Sequence, residues 1–162
     1  MIRKEQLLKR IQHINGDFNQ QDFKETLILI FEGMREVTTG FLKIASGAEK
    51  IKKKKYYKEI GYDTFDLFCK EVLNLTRKTV YLYLRIEDAI SKYPNIFSEE
   101  LVTRLGSAKM DKIIIGINRI ESSNLSKADK LSKIKSFVMK IDHKMSVGEV
   151  ENLVNETTRR LT

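Results

Sequence analysis

The chain has 162 residues, of which 32% are charged and 41% apolar, with one Pro and eight Gly. That length suits one ordinary domain or a small domain with an extension, and so few turn formers argue against a β-sandwich and against a disordered chain. A lone Cys69 rules out an intramolecular disulfide, one cysteine and two histidines are too few for a zinc module, and a net charge of +8 turns attention to polyanions.

The opening MIRKEQLLKR is charged and lacks the apolar stretch of a secretion signal. The longest apolar runs, LILIF at 27–31 and IIIGI at 113–117, fall far short of a membrane span. A soluble, cytoplasmic protein is expected. Residues 1–14 predict a short amphipathic helix on Leu7, Leu8, Ile11 and Ile14, stopped by Asn15 and Gly16. From Phe23 the pattern tightens: Phe23, Leu27, Ile30, Met34, Val37, Phe41, Ile44, Ala48 and Ile51 alternate steps of four and three. Such a heptad seam predicts supercoiled packing along one long helix over 22–58. Gly33, Gly40 and Gly47 recur every seven residues beside it. At about 55 Å the helix would exceed the roughly 40 Å breadth of a compact domain. It must therefore break at a glycine or project towards a partner. The seam serves equally an intramolecular bundle or a homodimer through Phe23, Leu27, Ile30, Met34, Val37, Phe41, Ile44 and Ile51.

Basic charge concentrates next: residues 49–85 hold 10 Lys/Arg against 5 Asp/Glu, over half of the whole excess. Lys52, Lys53, Lys54, Lys55 and Lys58 suit the C-terminal turns of a helix through its dipole. Beside a DNA-reading element they suit a phosphate clamp. Gly61 ends the long helix, and Thr64 caps another over 65–73. Then comes TRKTVYLYLRI (76–86), whose alternating β-branched and aromatic residues read as a strand. No hairpin partner is nearby, and a lone strand cannot satisfy its backbone. With Thr76 as cap the segment is expected to be a helix to about Lys92. Further helices are expected from Ser98 to Gly106, from Ser107 through 113–120, over 128–141, and from a capping box at Ser146 and Glu149 to about Arg160.

Residues 65–84 match a helix-turn-helix. Cys69 and Leu73 fill the apolar places on the first helix, Leu75 follows the turn residue Asn74, and Val80 and Tyr83 fill those on the second. Asn enters the left-handed conformation cheaply. On the second helix Val80, Tyr83 and Leu84 then face inward, while Arg77, Lys78, Tyr81 and Arg85 face outward, where recognition helices meet bases and phosphates. Candidate DNA contacts are Lys52, Lys53, Lys54, Lys55, Lys58, Thr76, Arg77, Lys78, Tyr81 and Arg85. No enzyme is expected and no cofactor: His13 and His143 are far apart, phosphate-loop and metalloprotease motifs are absent, Cys69 suits the core, and Tyr81 lacks a basic catalytic cluster.

The segment KKKKYYKEIGYDTFDLFCKEVLNLTRKTVYLYLRI resembles the Borrelia-type spirochaetal plasmid partition family, with KKYYK, then GY..F..F, then a helix-turn-helix ending in Y.YL. Lys54, Lys55, Tyr56, Tyr57, Gly61, Tyr62, Phe65, Phe68, Tyr81 and Tyr83 carry it, while Leu82 stands where such helices often have Lys or Arg. The resemblance implies a ParB-like or accessory DNA-binding protein of plasmid maintenance, acting beside a ParA-type ATPase. The expected fold is all-α: a helical segment over 1–48, a basic helix-turn-helix core over 49–93, and a helical bundle over 94–162. The alternative is a helical adaptor or ATPase regulator without specific DNA readout.

Overall fold

The computed structural model of the chain describes residues 19–33, 36, 40–159 and 161. Among them are eight helices and no strand: α1 (Gln20–Gly33), α2 (Gly40–Lys54), α3 (Tyr56–Glu59), α4 (Phe65–Glu71), α5 (Arg77–Lys92), α6 (Glu99–Glu121), α7 (Lys127–Met139) and α8 (Val147–Thr158). The all-α expectation is met. One compact unit ends at Glu87 and a second begins at Asp88, a boundary inside α5. No helix among the described residues is long and apolar enough to cross a membrane. The expectations for residues 1–14, Met34 and Val37 lie outside the described residues.

α1 starts where the Asn19 side chain accepts the Asp22 N–H at 2.9 Å, and it buries Phe23, Leu27 and Ile30. Of the two outcomes open to the 22–58 helix, a break at a glycine or a projecting helix, the break occurs, and no single long helix forms. α1 stops at Gly33, α2 starts at Gly40, and the two run back along each other, with Gly33 against Gly40, Ile30 against Gly47, and Asp22 against Lys50 and Lys54. The glycine row is the physical reason. A Cβ on Gly40 would lie 1.7 Å from the Gly33 carbonyl oxygen, and one on Gly47 would lie 2.4 Å from Ile30 Cγ1. The approach is possible only without side chains, and it outweighs the helix propensity that each glycine forfeits, about 1 kcal/mol. The 4-3 spacing therefore belongs to two antiparallel helices of one chain. Phe23, Leu27, Ile30, Phe41, Ile44 and Ile51, which suited a bundle or a dimer face equally, are buried within the chain itself.

One core serves these helices and the α4–α5 pair. Phe23 sits 5.4 Å from the Tyr56 ring and 6.3 Å from Phe68, and Phe68 meets Tyr62 edge-on at 5.7 Å. Burying a side chain such as Phe68 contributes about 1.5–3 kcal/mol, and each aromatic contact adds about 0.5–1.5 kcal/mol.

The second unit is built on α6. Ser98 caps it by accepting the Leu101 N–H at 3.1 Å. Gly106, at φ 75° and ψ 162°, interrupts it where the sequence places a helix end, so the two helices expected there are two arms of one kinked element. Ser126 caps α7, and Ser146 with Glu149 forms the expected capping box on α8. Val102, Met110, Ile113, Phe137, Val150 and Val154 are buried in this unit, and Gly116 lets Phe137 lie against α6, since a Cβ there would be 3.0 Å from the ring.

Candidate nucleic-acid interface

The candidate residues lie on α4, the turn after it, and α5, with the lysine run at the end of α2. Thr64 fixes the start of α4 by accepting the Leu67 N–H at 3.1 Å. Phe65, Phe68 and Cys69 face the core. Burial first, and then the charge of Asp66, pushes the Cys69 thiol up to about 12, so it is an inert core group at neutral pH. The turn closes at Asn74, whose φ of 54° is left-handed as its residue type predicts, and the next amide, Leu75 N–H, donates to the Cys69 carbonyl at 3.1 Å. Thr76 opens α5: its Oγ1 accepts the Thr79 N–H at 3.2 Å and lies 2.8 Å from Thr79 Oγ1. Its hydroxyl is thus committed to capping.

The stretch TVYLYL is helical throughout. Val80 and Ile86 are fully buried, and Leu75, Tyr83 and Leu84 pack against the core from its edge. Leu82 is half-buried, between the inward and outward faces. The opposite face carries charge. Arg77 (75% side-chain exposure), Lys78 and Arg85 are exposed. Arg77 Nε forms an ion pair with Asp66 Oδ2 at 3.2 Å, and its guanidinium carbon sits 5.3 Å from the centre of the Tyr81 ring. Lys52, from the end of α2, places its ammonium 4.4 Å from the same ring and 5.7 Å from Phe65. Both distances suit cation–π attraction. Burial, followed by the neighbouring Asp66 carboxylate, raises the Tyr81 phenol above its ordinary value, so it stays neutral in this stack.

The lysine run does not present one face. Lys50 and Lys54, four apart and so on one side of α2, both reach back to α1. Lys54 pairs with Asp22 at 3.0 Å, Lys50 also pairs with it, and the Tyr56 hydroxyl donates to the same carboxylate. The Lys50 bond first and the Tyr56 bond second hold the Asp22 carboxyl well below the usual range, and the Asp22 bond raises Lys54. Lys52 lies about 200° around the helix from Lys50, by the 3.6-residue turn, and meets α5 instead. Lys53, Lys55 and Lys58 are exposed. Lys55 takes φ 57° and ψ 26° between α2 and α3, a left-handed corner costing about 1–2 kcal/mol for a residue with a Cβ.

Of the candidate contacts, the fold thus gathers Lys52, Arg77 and Tyr81, with Lys78 and Arg85 along the same helix, while Lys54 is turned to Asp22 and Thr76 caps. The two acids that organise these cations were not anticipated. Asp22 is 28 residues before Lys50, and only the α1–α2 reversal brings them together. Asp66 had a weaker signal, an acid in the first turn of a helix, but its reach to Arg77 depends on how α4 meets α5. Among the described residues, no group of three or more His, Cys, Asp or Glu could hold a metal ion. Compared with protein-family models, curated proteins and solved structures, the chain matches none.

Proposed function

We propose that the chain binds double-stranded DNA through a helix-turn-helix formed by α4 and α5. The carrying observation is the left-handed Asn74 turn, after which α5 buries Val80 and Ile86 and offers Arg77, Lys78 and Arg85 outward. The first turns of α5 enter the major groove, and Lys52, with the exposed Lys53, Lys55 and Lys58, approaches phosphates. Lys54 contributes less, because Asp22 already satisfies it. The resemblance to plasmid partition proteins fits this division of labour. Tyr56, Tyr62, Phe65 and Phe68 of its pattern lie in the core that carries the helix pair, and Tyr81 lies in the exposed stack. The function proposed is plasmid maintenance on the plasmid or nucleoid, without enzymatic activity or cofactor, beside a ParA-type ATPase. A homodimer would have to use a face other than the buried Phe23, Leu27, Ile30, Phe41, Ile44 and Ile51.

A mobility-shift titration against plasmid DNA at physiological salt with competitor tests this. Arg77→Ala and Arg85→Ala should each lower affinity for the specific site by about 1–3 kcal/mol, and Lys52→Ala should weaken all sequences alike and flatten the salt slope by about one. Unchanged binding in both arginine variants overturns the reading. One observation favours the alternative of a protein-binding adaptor. In the second unit Leu131, 52% exposed, lines a cavity of about 590 Å³ with Ile134, Tyr93 and the lysines Lys92, Lys127 and Lys130. That alternative expects DNA binding no tighter than net charge alone provides.

A further inference from the structure

We propose that Asp66 is a positioning residue for sequence readout: by pairing with Arg77 Nε and so keeping the guanidinium beside the Tyr81 ring, it leaves the terminal nitrogens of Arg77 to face a base edge. This deepens the DNA-binding reading and rests on it.

Asp66 is an anomaly on such a surface. A carboxylate beside a recognition helix repels the phosphate backbone, and an ion pair this exposed, with 75% and 35% side-chain exposure, adds little stability. Its other oxygen, Oδ1, is closed off from solvent with no hydrogen-bond partner, an arrangement that itself costs free energy. An acid in the first turn of α4 is favoured by the helix dipole. The dipole does not explain why the carboxylate reaches across to the next helix. Positioning does. Arginine has five donors in a planar fork, and engaging Nε leaves the two terminal groups as the pair that matches O6 and N7 of guanine. The contact at 3.2 Å and the ring at 5.3 Å restrict a long side chain before DNA arrives, which lowers the ordering cost of binding. Lys52 at 4.4 Å from the same ring adds positive charge beside the carboxylate, offsetting part of its repulsion.

The test is selection of the full chain on a randomised duplex pool, followed by anisotropy titration of the selected and an unrelated duplex. The wild type should enrich a motif. Asp66→Asn should bind the unrelated duplex as well or up to about twofold better, having lost a repelling charge. Its preference for the selected duplex should fall by about tenfold, within the range a bidentate base contact provides. Arg77→Lys, which keeps charge but lacks Nε and the fork, should lose the same preference, and the double variant should lose no more than either single. Thermal melts accompany each variant, and Asp66→Ser serves if Asn perturbs the fold. A wild type that enriches a motif, with Asp66→Asn and Asp66→Ser keeping full preference for it, overturns the positioning role alone. A wild type that enriches no motif overturns the DNA-binding reading and this inference together.

Discussion

The first unit contains two helix pairs made by different means. In α1–α2 the chain reverses on a row of glycines, and the charged groups that meet, Asp22 with Lys50, Lys54 and Tyr56, satisfy one another. In α4–α5 the chain turns on a left-handed asparagine, Arg77 of one helix pairs with Asp66 of the other, and Lys78 and Arg85 are exposed. The first pair is closed upon itself by Asp22, whereas the second carries Arg77, Lys78 and Arg85 on its exposed face. Lysines from the same run serve both, because rotation around α2 sends Lys54 to one pair and Lys52 to the other.

Phe68→Ala strikes both pairs, since its ring meets Phe23 of the first and Tyr62 beside the second, and should destabilise the chain by about 3–5 kcal/mol in urea unfolding. Gly47→Ala strikes only the first pair. Its Cβ would stand 2.4 Å from Ile30 Cγ1, and overpacking of about 1–3 kcal/mol should exceed the propensity gain of about 1 kcal/mol, a net loss visible in the same melt. Asp22→Asn should cost about 1–2 kcal/mol near neutral pH. Because the folded carboxyl titrates below its unfolded value of about 4, its stabilisation is complete above that pH. It is lost as pH falls towards the lower folded value, so wild type and variant stabilities should converge in acid. Asn74→Ala tests the other pair. It should cost about 1 kcal/mol, while Asn74→Gly should stay within a few tenths, because only the left-handed backbone is at stake. A larger loss with glycine would mean that the asparagine side chain, and not its φ, holds the turn.

Much of the second pair was legible in the sequence because its signals are local. Thr64, Asn74 and Thr76 each act on a backbone group within a few residues, and Cys69, Leu73 and Val80 are buried where helical spacing puts them. The caps at Ser98 and Ser146 were readable for the same reason. The first pair was only half legible, with a break at a glycine left as one of two outcomes, because a 4-3 repeat is the same whether a helix continues or folds back. Gly33 and Gly40 held the answer, but their meaning is a distance between two backbones, which spacing along the chain does not express. The stretch 76–86 was legible against its own residue preference: β-branched and aromatic residues fit a strand, yet the Thr76 cap and the missing hairpin partner pointed to the helix that forms, with Val80 and Ile86 buried. The two-sided use of the lysines lay within reach of helical phase, whereas their acidic partners required the tertiary fold.

The corner at Lys55 has a consequence for how much stability this protein leaves unclaimed. A lysine held at φ 57° carries a strain that glycine would not, so Lys55→Gly should raise stability by about 1 kcal/mol. If Lys55 meets phosphate, the same change should weaken DNA binding and lower its salt dependence. Position 55 would then be a place where a sturdier protein is one substitution away and the charge of the side chain outweighs the comfort of the backbone.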